Sequence, residues 1–163
     1  LGAGVPNSRI VIVGEGPGRN EDEQGKPFVG RSGQLLDQML EQVGLSRNRN
    51  VFITNIVKCR PPENRDPMPE ECLACRPWLD KILELIDPKI ILCVGRIAAQ
   101  QLFDPNFRVT RQHGEIRERD GRLVMATFHP AALLRNPSYK PMMEADLRKL
   151  AEIIAEEQNA QIL

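Results

Sequence analysis

Four short apolar runs punctuate the chain: Ile10–Val13, Val51–Ile56, Ile90–Val94 and Leu123–Phe128. Their β-branched content predicts strands. The segments between them carry helical spacing instead. In "SGQLLDQMLEQVG", Leu35, Leu36, Met39, Leu40 and Val43 fall on one face, with Ser32 as the expected N-cap and Gly44 as the stop. "PEECLACRPWLDKILELI" repeats the habit through Leu79, Ile82, Leu83 and Ile86, and Pro69 suits a first helical position. Pro77 either starts a helix there or kinks one. "RIAAQQLF" and "MMEADLRKLAEIIAEE" are two further helices. Strands alternating with helices imply parallel pairing through right-handed crossovers. The expected fold is therefore α/β, a three-layer α/β/α sandwich around a short, mainly parallel four-stranded sheet. No repeat or low-complexity linker interrupts residues 1–163, so one domain is expected.

In such a sheet the ligand sits beyond the carboxyl ends of the strands. Those ends fall at Gly14–Gly18, Asn55–Pro67, Gly95 and His129–Pro137, and all should converge on one edge. A strand entering Gly14, Gly16 and Gly18 usually suggests a phosphate cradle, because bare backbone N–H groups can close around an anion. Here the loop carries Glu15, Glu21, Asp22 and Glu23, which would repel phosphate. No lysine–hydroxyl pair follows, which counts against a flavodoxin-like nucleotide binder.

Composition narrows the classes. Hydrophobic residues make up 41% of 163, enough for a globular core. Lys+Arg and Asp+Glu are both 22, a balance that argues against a constitutive nucleic-acid coat but leaves room for a local basic face. No apolar stretch approaches the roughly 20 residues that span a bilayer, and no signal segment opens the chain. "LGAGVPNS" lacks an initiating Met, so an upstream segment is expected to be missing. Of the four cysteines, Cys93 in "KIILCVG" reads as a buried strand residue. Cys59, Cys72 and Cys75 surround a C-x-x-C, which in an intracellular enzyme more often binds metal than forms a disulfide.

Single residues keep two readings each at this point. Phe28 is a core aromatic or a stacking surface. Asn55 ends an apolar strand, where its amide either caps a turn or pairs with a ligand, since a polar group is costly there without a partner. His129 is structural or catalytic, with its backbone held extended by Pro130. His113 reads as a surface residue.

Three loops together carry a resemblance: "GEGPGRNEDEQGKPFVGRSGQLL", "TNIVKCRPPENRDP" and "TFHPAALLRNP", in this order and each after a strand. The chain resembles the uracil-DNA glycosylase superfamily, specifically its iron–sulfur branch, family 4, over nearly its whole length. The resemblance implies a monofunctional enzyme that flips deoxyuridine out of DNA and hydrolyses its N-glycosidic bond, initiating base-excision repair. Gly14 and Gly16 would let the backbone approach the flipped base, and Phe28 would stack on it. Asn55 would pair with uracil O4 and N3–H, a demand that cytosine reverses. His129 would stabilise charge developing on O2. Glu15 would steady the cationic sugar and orient water, although the better-known branch places an Asp where this chain has Gly16; Glu21 and Asp22 are the alternatives. Leu133, Leu134 and Arg135 would probe the minor groove, with Arg60, Arg65, Lys58 and Lys140 supplying phosphate contacts.

By the same resemblance, Cys59 and Cys75 ligate a [4Fe–4S] cluster whose other two thiolates come from an upstream C-x-x-C that this sequence does not include. Cys72 could recruit a third thiolate or a different metal, such as zinc. The metal is expected to be structural and remote from glycosidic cleavage. The rival reading is a metal-stabilised DNA-binding module that recognises uracil or damage without cutting. The expected setting is a monomer acting on uracil-containing DNA in the cytoplasm of a bacterial or archaeal cell, at the nucleoid and away from membranes.

Overall fold

The computed structural model describes residues 2–16, 29–56 and 68–162. The four predicted strands lie side by side as β2 (Ile10–Gly14), β3 (Val51–Asn55), β4 (Ile90–Val94) and β6 (Arg122–Thr127). They are parallel to one another: β2 pairs with both β3 and β4, and β4 pairs with β6. Among the described residues two edge strands extend the sheet to six, in the order β1-β3-β2-β4-β6-β5. These are β1 (Gly2–Gly4), antiparallel to β3, and β5 (Ile116–Arg119), antiparallel to β6. The expectation of four strands is corrected on this point. Neither edge strand has an apolar pattern, because "GAG" offers almost no side chain and "IRER" is largely charged. Backbone pairing defines both. Asp120 and Gly121, at φ 52° and 79°, close the two-residue β5–β6 turn that the Arg119–Arg122 register requires.

Side-chain alternation divides the central strands between two cores. Ile10, Ile12, Val51, Ile53, Ile90, Leu92 and Met125 face one side, packed with α1 (Arg31–Glu41) and α6 (Lys140–Ile162) through Leu36, Met39, Leu40, Met143, Leu147 and Leu150. Val11, Val13, Ile91, Cys93, Val124 and Ala126 face the other, against α2 (Pro69–Ile86) and α3 (Arg96–Leu102) through Cys72, Leu79, Leu83, Ala98 and Ala99; a single turn, α4 (Val109–Gln112), follows α3. Helices on both faces of a mixed sheet make the three layers. Cys93 is fully buried, as its strand setting implied.

The helix ends refine the sequence reading. α1 begins after Gly30, two residues ahead of Ser32, and Gly44 lies beyond its end at φ 79°. Pro69 does open α2, and the Glu71 carboxylate accepts the Met68 backbone N–H at 2.7 Å across the first turn. Pro77 neither starts nor ends a helix, since α2 runs continuously from Pro69 to Ile86. Among the described residues, no helix is long and apolar enough to cross a membrane.

Candidate active site

Because β3, β2, β4 and β6 run parallel, their carboxyl ends share one edge. Asn55 at the end of β3 stands in register with Gly14 at the end of β2. The Ile56 N–H reaches back to the Gly14 carbonyl at 2.8 Å. Next to them an open cavity of about 440 Å³ is lined by Glu15, Gly95, Phe128, His129, Ala132 and Arg135, among others. The loops expected to converge therefore do so wherever they are described. Asn55 is 1% exposed, with both amide atoms buried, and is not among the residues lining the cavity.

His129 is the most constrained polar group at this edge. It sits in extended backbone, φ −73° and ψ 138°, as the N-cap of α5 (Pro130–Arg135), and Pro130 occupies the first helical position. Its Nδ1 accepts the Ala131 N–H at 3.0 Å. A ring nitrogen that accepts a backbone hydrogen bond carries no proton, so the neutral imidazole bears its hydrogen on Nε2. Burial pushes the His129 pKa down to about 4, with the Arg135 charge adding to the effect. The ring is thus an uncharged donor at neutral pH.

Gly95, after β4, makes this placement possible. Its N–H donates to the Thr127 carbonyl at 3.0 Å, tying the ends of β4 and β6 together. At φ 94° it holds a conformation that L side chains rarely adopt, and a Cβ there would lie 3.0 Å from the His129 Cβ and 3.4 Å from Cδ2. The sequence marked Gly95 only as a strand end.

Behind His129 lies a network that sequence reasoning missed. Thr127 Oγ1 donates to Asp146 Oδ2 at 2.6 Å, and His113 Nδ1 lies 2.9 Å from the same oxygen. Asp146 is 6% exposed, on the inward face of α6. His113 is half-buried with its ring against the Asp146 carboxylate, which corrects its reading as a plain surface residue. Its ring packs 5.0 Å from Phe128, which stacks on Tyr139 at 4.7 Å. The available signal was an aspartate interrupting the Met143–Leu147–Leu150 apolar face.

The α5 segment splits the expected probe. Leu133 is 3% exposed and packs in the core under α1. Leu134 is 42% exposed, and Arg135 is exposed on the cavity rim. Gly16 is half-buried just past Glu15. Phe28, Lys58, Cys59, Arg60, Arg65, Glu21 and Asp22 lie outside the described residues. Of the thiols, Cys72 is buried in the core beneath α2, with burial the largest cause of its raised pKa, while Cys75 is half-buried one turn on. Among the described residues, no group of three or more His, Cys, Asp or Glu is gathered to hold a metal ion.

Comparison with known proteins gives the family of the chain. Residues 1–152 match the model of the uracil DNA glycosylase superfamily. The chain is 46% identical to the type-4 uracil-DNA glycosylase of Archaeoglobus fulgidus, over 96% of this chain and 82% of that protein. With the type-4 enzyme of Sulfurisphaera tokodaii it shares 44% identity, over 93% of this chain and 73% of the relative. The type-4 enzyme of Thermotoga maritima is 42% identical, over 96% and 83% respectively. This chain belongs to the uracil DNA glycosylase superfamily.

Proposed function

We propose that the protein is a monofunctional uracil-DNA glycosylase of the type-4 kind, hydrolysing the bond between uracil and deoxyribose in DNA to begin base-excision repair. The single observation that carries the chemistry is the neutral His129, its proton held on Nε2 by the Ala131 N–H at 3.0 Å. Departure of uracil leaves negative charge on O2. A preorganised donor that strengthens as this charge develops favours the transition state over the bound substrate. An uncharged imidazole suits that task, since it stabilises the anion without first attracting phosphate as a fixed cation would.

The remaining roles follow from position. Asn55, buried one strand from the cavity, is assigned to the uracil edge, its amide accepting from N3–H and donating to O4. Glu15, on the cavity wall, is assigned to the opposite charge: its carboxylate faces the developing oxocarbenium ion and orients the water that adds to C1′. Gly14 and Gly16 keep the approach clear of side chains. Phe28 is assigned to stacking on the base, and Arg60, Arg65, Leu134 and Arg135 to the DNA around it. The solvent exposure of Leu134 and Arg135 supports the latter two.

A [4Fe–4S] cluster held in part by Cys59 and Cys75 belongs to the same proposal. Partial exposure of Cys75, against the buried Cys72, favours Cys75 as the ligand. These two thiols do not make the four-thiolate set that such a cluster needs. When bound, the cluster would brace the loop after β3, and no chemical step passes through it. We read residues 1–163 as one domain, supported by its single sheet, acting as a monomer on chromosomal DNA in an archaeal or bacterial cytoplasm.

Release of free uracil from a uracil-containing single strand tests the proposal, with Asn55→Asp as the second arm. A carboxylate cannot donate to O4, so uracil turnover should fall by about 10²-fold or more. Binding without release would instead identify a recognition module, and unchanged turnover in Asn55→Asp would remove that residue from the pocket.

A further inference from the structure

A second cavity, of about 590 Å³, opens beside the first. The two share Arg96 and Val109 in their walls, so they adjoin, and the second lacks His129 in its lining. The far wall is the turn that carries Asn106, Phe107 and Arg108. Among the described lining residues of this second cavity there are two arginines and no carboxylate, on a chain whose net charge is zero.

The turn is built to hold Arg108 in place. Asp104 Oδ1 accepts the Asn106 N–H at 2.8 Å, and the Phe107 N–H donates to the Asp104 carbonyl at 2.9 Å. Phe107 is 2% exposed and meets Phe103 edge-on at 5.7 Å. The Arg108 N–H donates to Gln112 Oε1 at 2.7 Å. Backbone on both sides of Arg108 is therefore fixed, while its side chain is exposed. Asp104, the carboxylate of this turn, is turned the other way: its Oδ2 accepts from Arg117 Nη1 at 3.0 Å and from Gln112 Nε2 at 3.1 Å. These partners, led by the Asn106 N–H, hold its carboxyl below the usual range. No carboxylate among the described residues forms an ion pair with Arg108.

We infer that this second cavity carries the sugar-phosphate backbone of the DNA strand on one side of the flipped nucleotide, with Arg108 binding a phosphodiester there. The inference rests on the glycosylase reading and extends it: substrate would be gripped along a second direction, away from the α5 loop. A guanidinium carried on such a fixed turn fits phosphate with two parallel N–H donors. Phosphate contacts of this kind fix the strand without reading its sequence.

Arg108→Ala, with Lys81→Ala on the exposed face of α2 as an equal charge deletion, tests the assignment. Binding is measured on single strands containing a 2′-fluorinated deoxyuridine, which resists cleavage, across a salt series. Loss of one phosphate contact should lower the slope of log affinity against log salt by about 0.7, which is about fourfold in affinity at near-physiological salt. Lys81→Ala should change neither. Strands shortened from one end should erase the difference between wild type and Arg108→Ala, whereas shortening from the other end should preserve it. Equal slopes and affinities in wild type and Arg108→Ala on every strand would overturn the inference. A wild-type protein that binds these strands but never releases uracil from the cleavable ones would overturn the glycosylase reading and leave the binding comparison standing.

Discussion

His129 provides the most discriminating experiment, because its tautomer and its charge are both set by named contacts. With a pKa of about 4 and an accepted hydrogen bond at Nδ1, the ring should stay neutral at neutral pH. At a pH near 6.5 an ordinary imidazole is half protonated, whereas His129 would be charged in roughly one molecule in 300, at a factor of ten per pH unit. Its resonance in a histidine-selective NMR titration should therefore show an Nε2–H tautomer, with no midpoint above about pH 5. The stability linkage has a definite sign. The folded pKa lies below the unfolded value near 6.5, so the unfolded chain binds more protons between the two. Stability is lost as pH falls from about 6.5 to about 4, by at most about 3 kcal/mol. Solvent in the adjoining cavity screens the ring and reduces that figure.

His129→Ala removes the titrating group, so its urea midpoint should fall less than that of wild type between about pH 7 and pH 4.5. The same variant should lose about 10²–10³ in single-turnover uracil release while DNA affinity holds. A His129 midpoint near 6.5, or an Nδ1–H tautomer, would refute the reading of the site. So would a variant with normal chemistry and weakened DNA binding.

Four further variants bear on the surrounding scaffold. Gly95→Ala should cost about 1–3 kcal/mol in urea unfolding, since φ 94° strains any L side chain, and should slow uracil release by displacing the His129 ring it abuts. Leu133→Ala should destabilise by about 2–5 kcal/mol as a core truncation; Leu134→Ala should leave the melting curve nearly unchanged and weaken action on double-stranded DNA more than on single strands, where no gap needs filling. Asp146→Ala strands the Thr127 hydroxyl and one face of His113, which should cost about 1–3 kcal/mol by chemical denaturation; a loss within about 0.5 kcal/mol would mean that water replaces the carboxylate.

The sequence by itself determined the layers, the four central strands and the edge at which the loops gather. Strands such as Ile10–Val13 and Ile90–Val94 are buried on both faces, so their apolar content is continuous and legible without knowing their neighbours. Parallel order then fixes where their carboxyl ends meet, which is why Glu15, Gly95 and His129 could be placed at one edge from spacing alone. The edge strands were not legible, because a strand such as Gly2–Gly4 exists through hydrogen bonds to Phe52–Thr54 and leaves no side-chain pattern. Helical spacing likewise could not separate Leu133 from Leu134. Adjacent residues differ by about 100° around a helix, and only the position of α1 decides which of the two is covered. The charge state of His129 is the clearest case of tertiary control. The same imidazole in an unfolded chain would titrate near 6.5; burial against the sheet end, the Ala131 N–H and the nearby Arg135 make it neutral and fix its proton on Nε2.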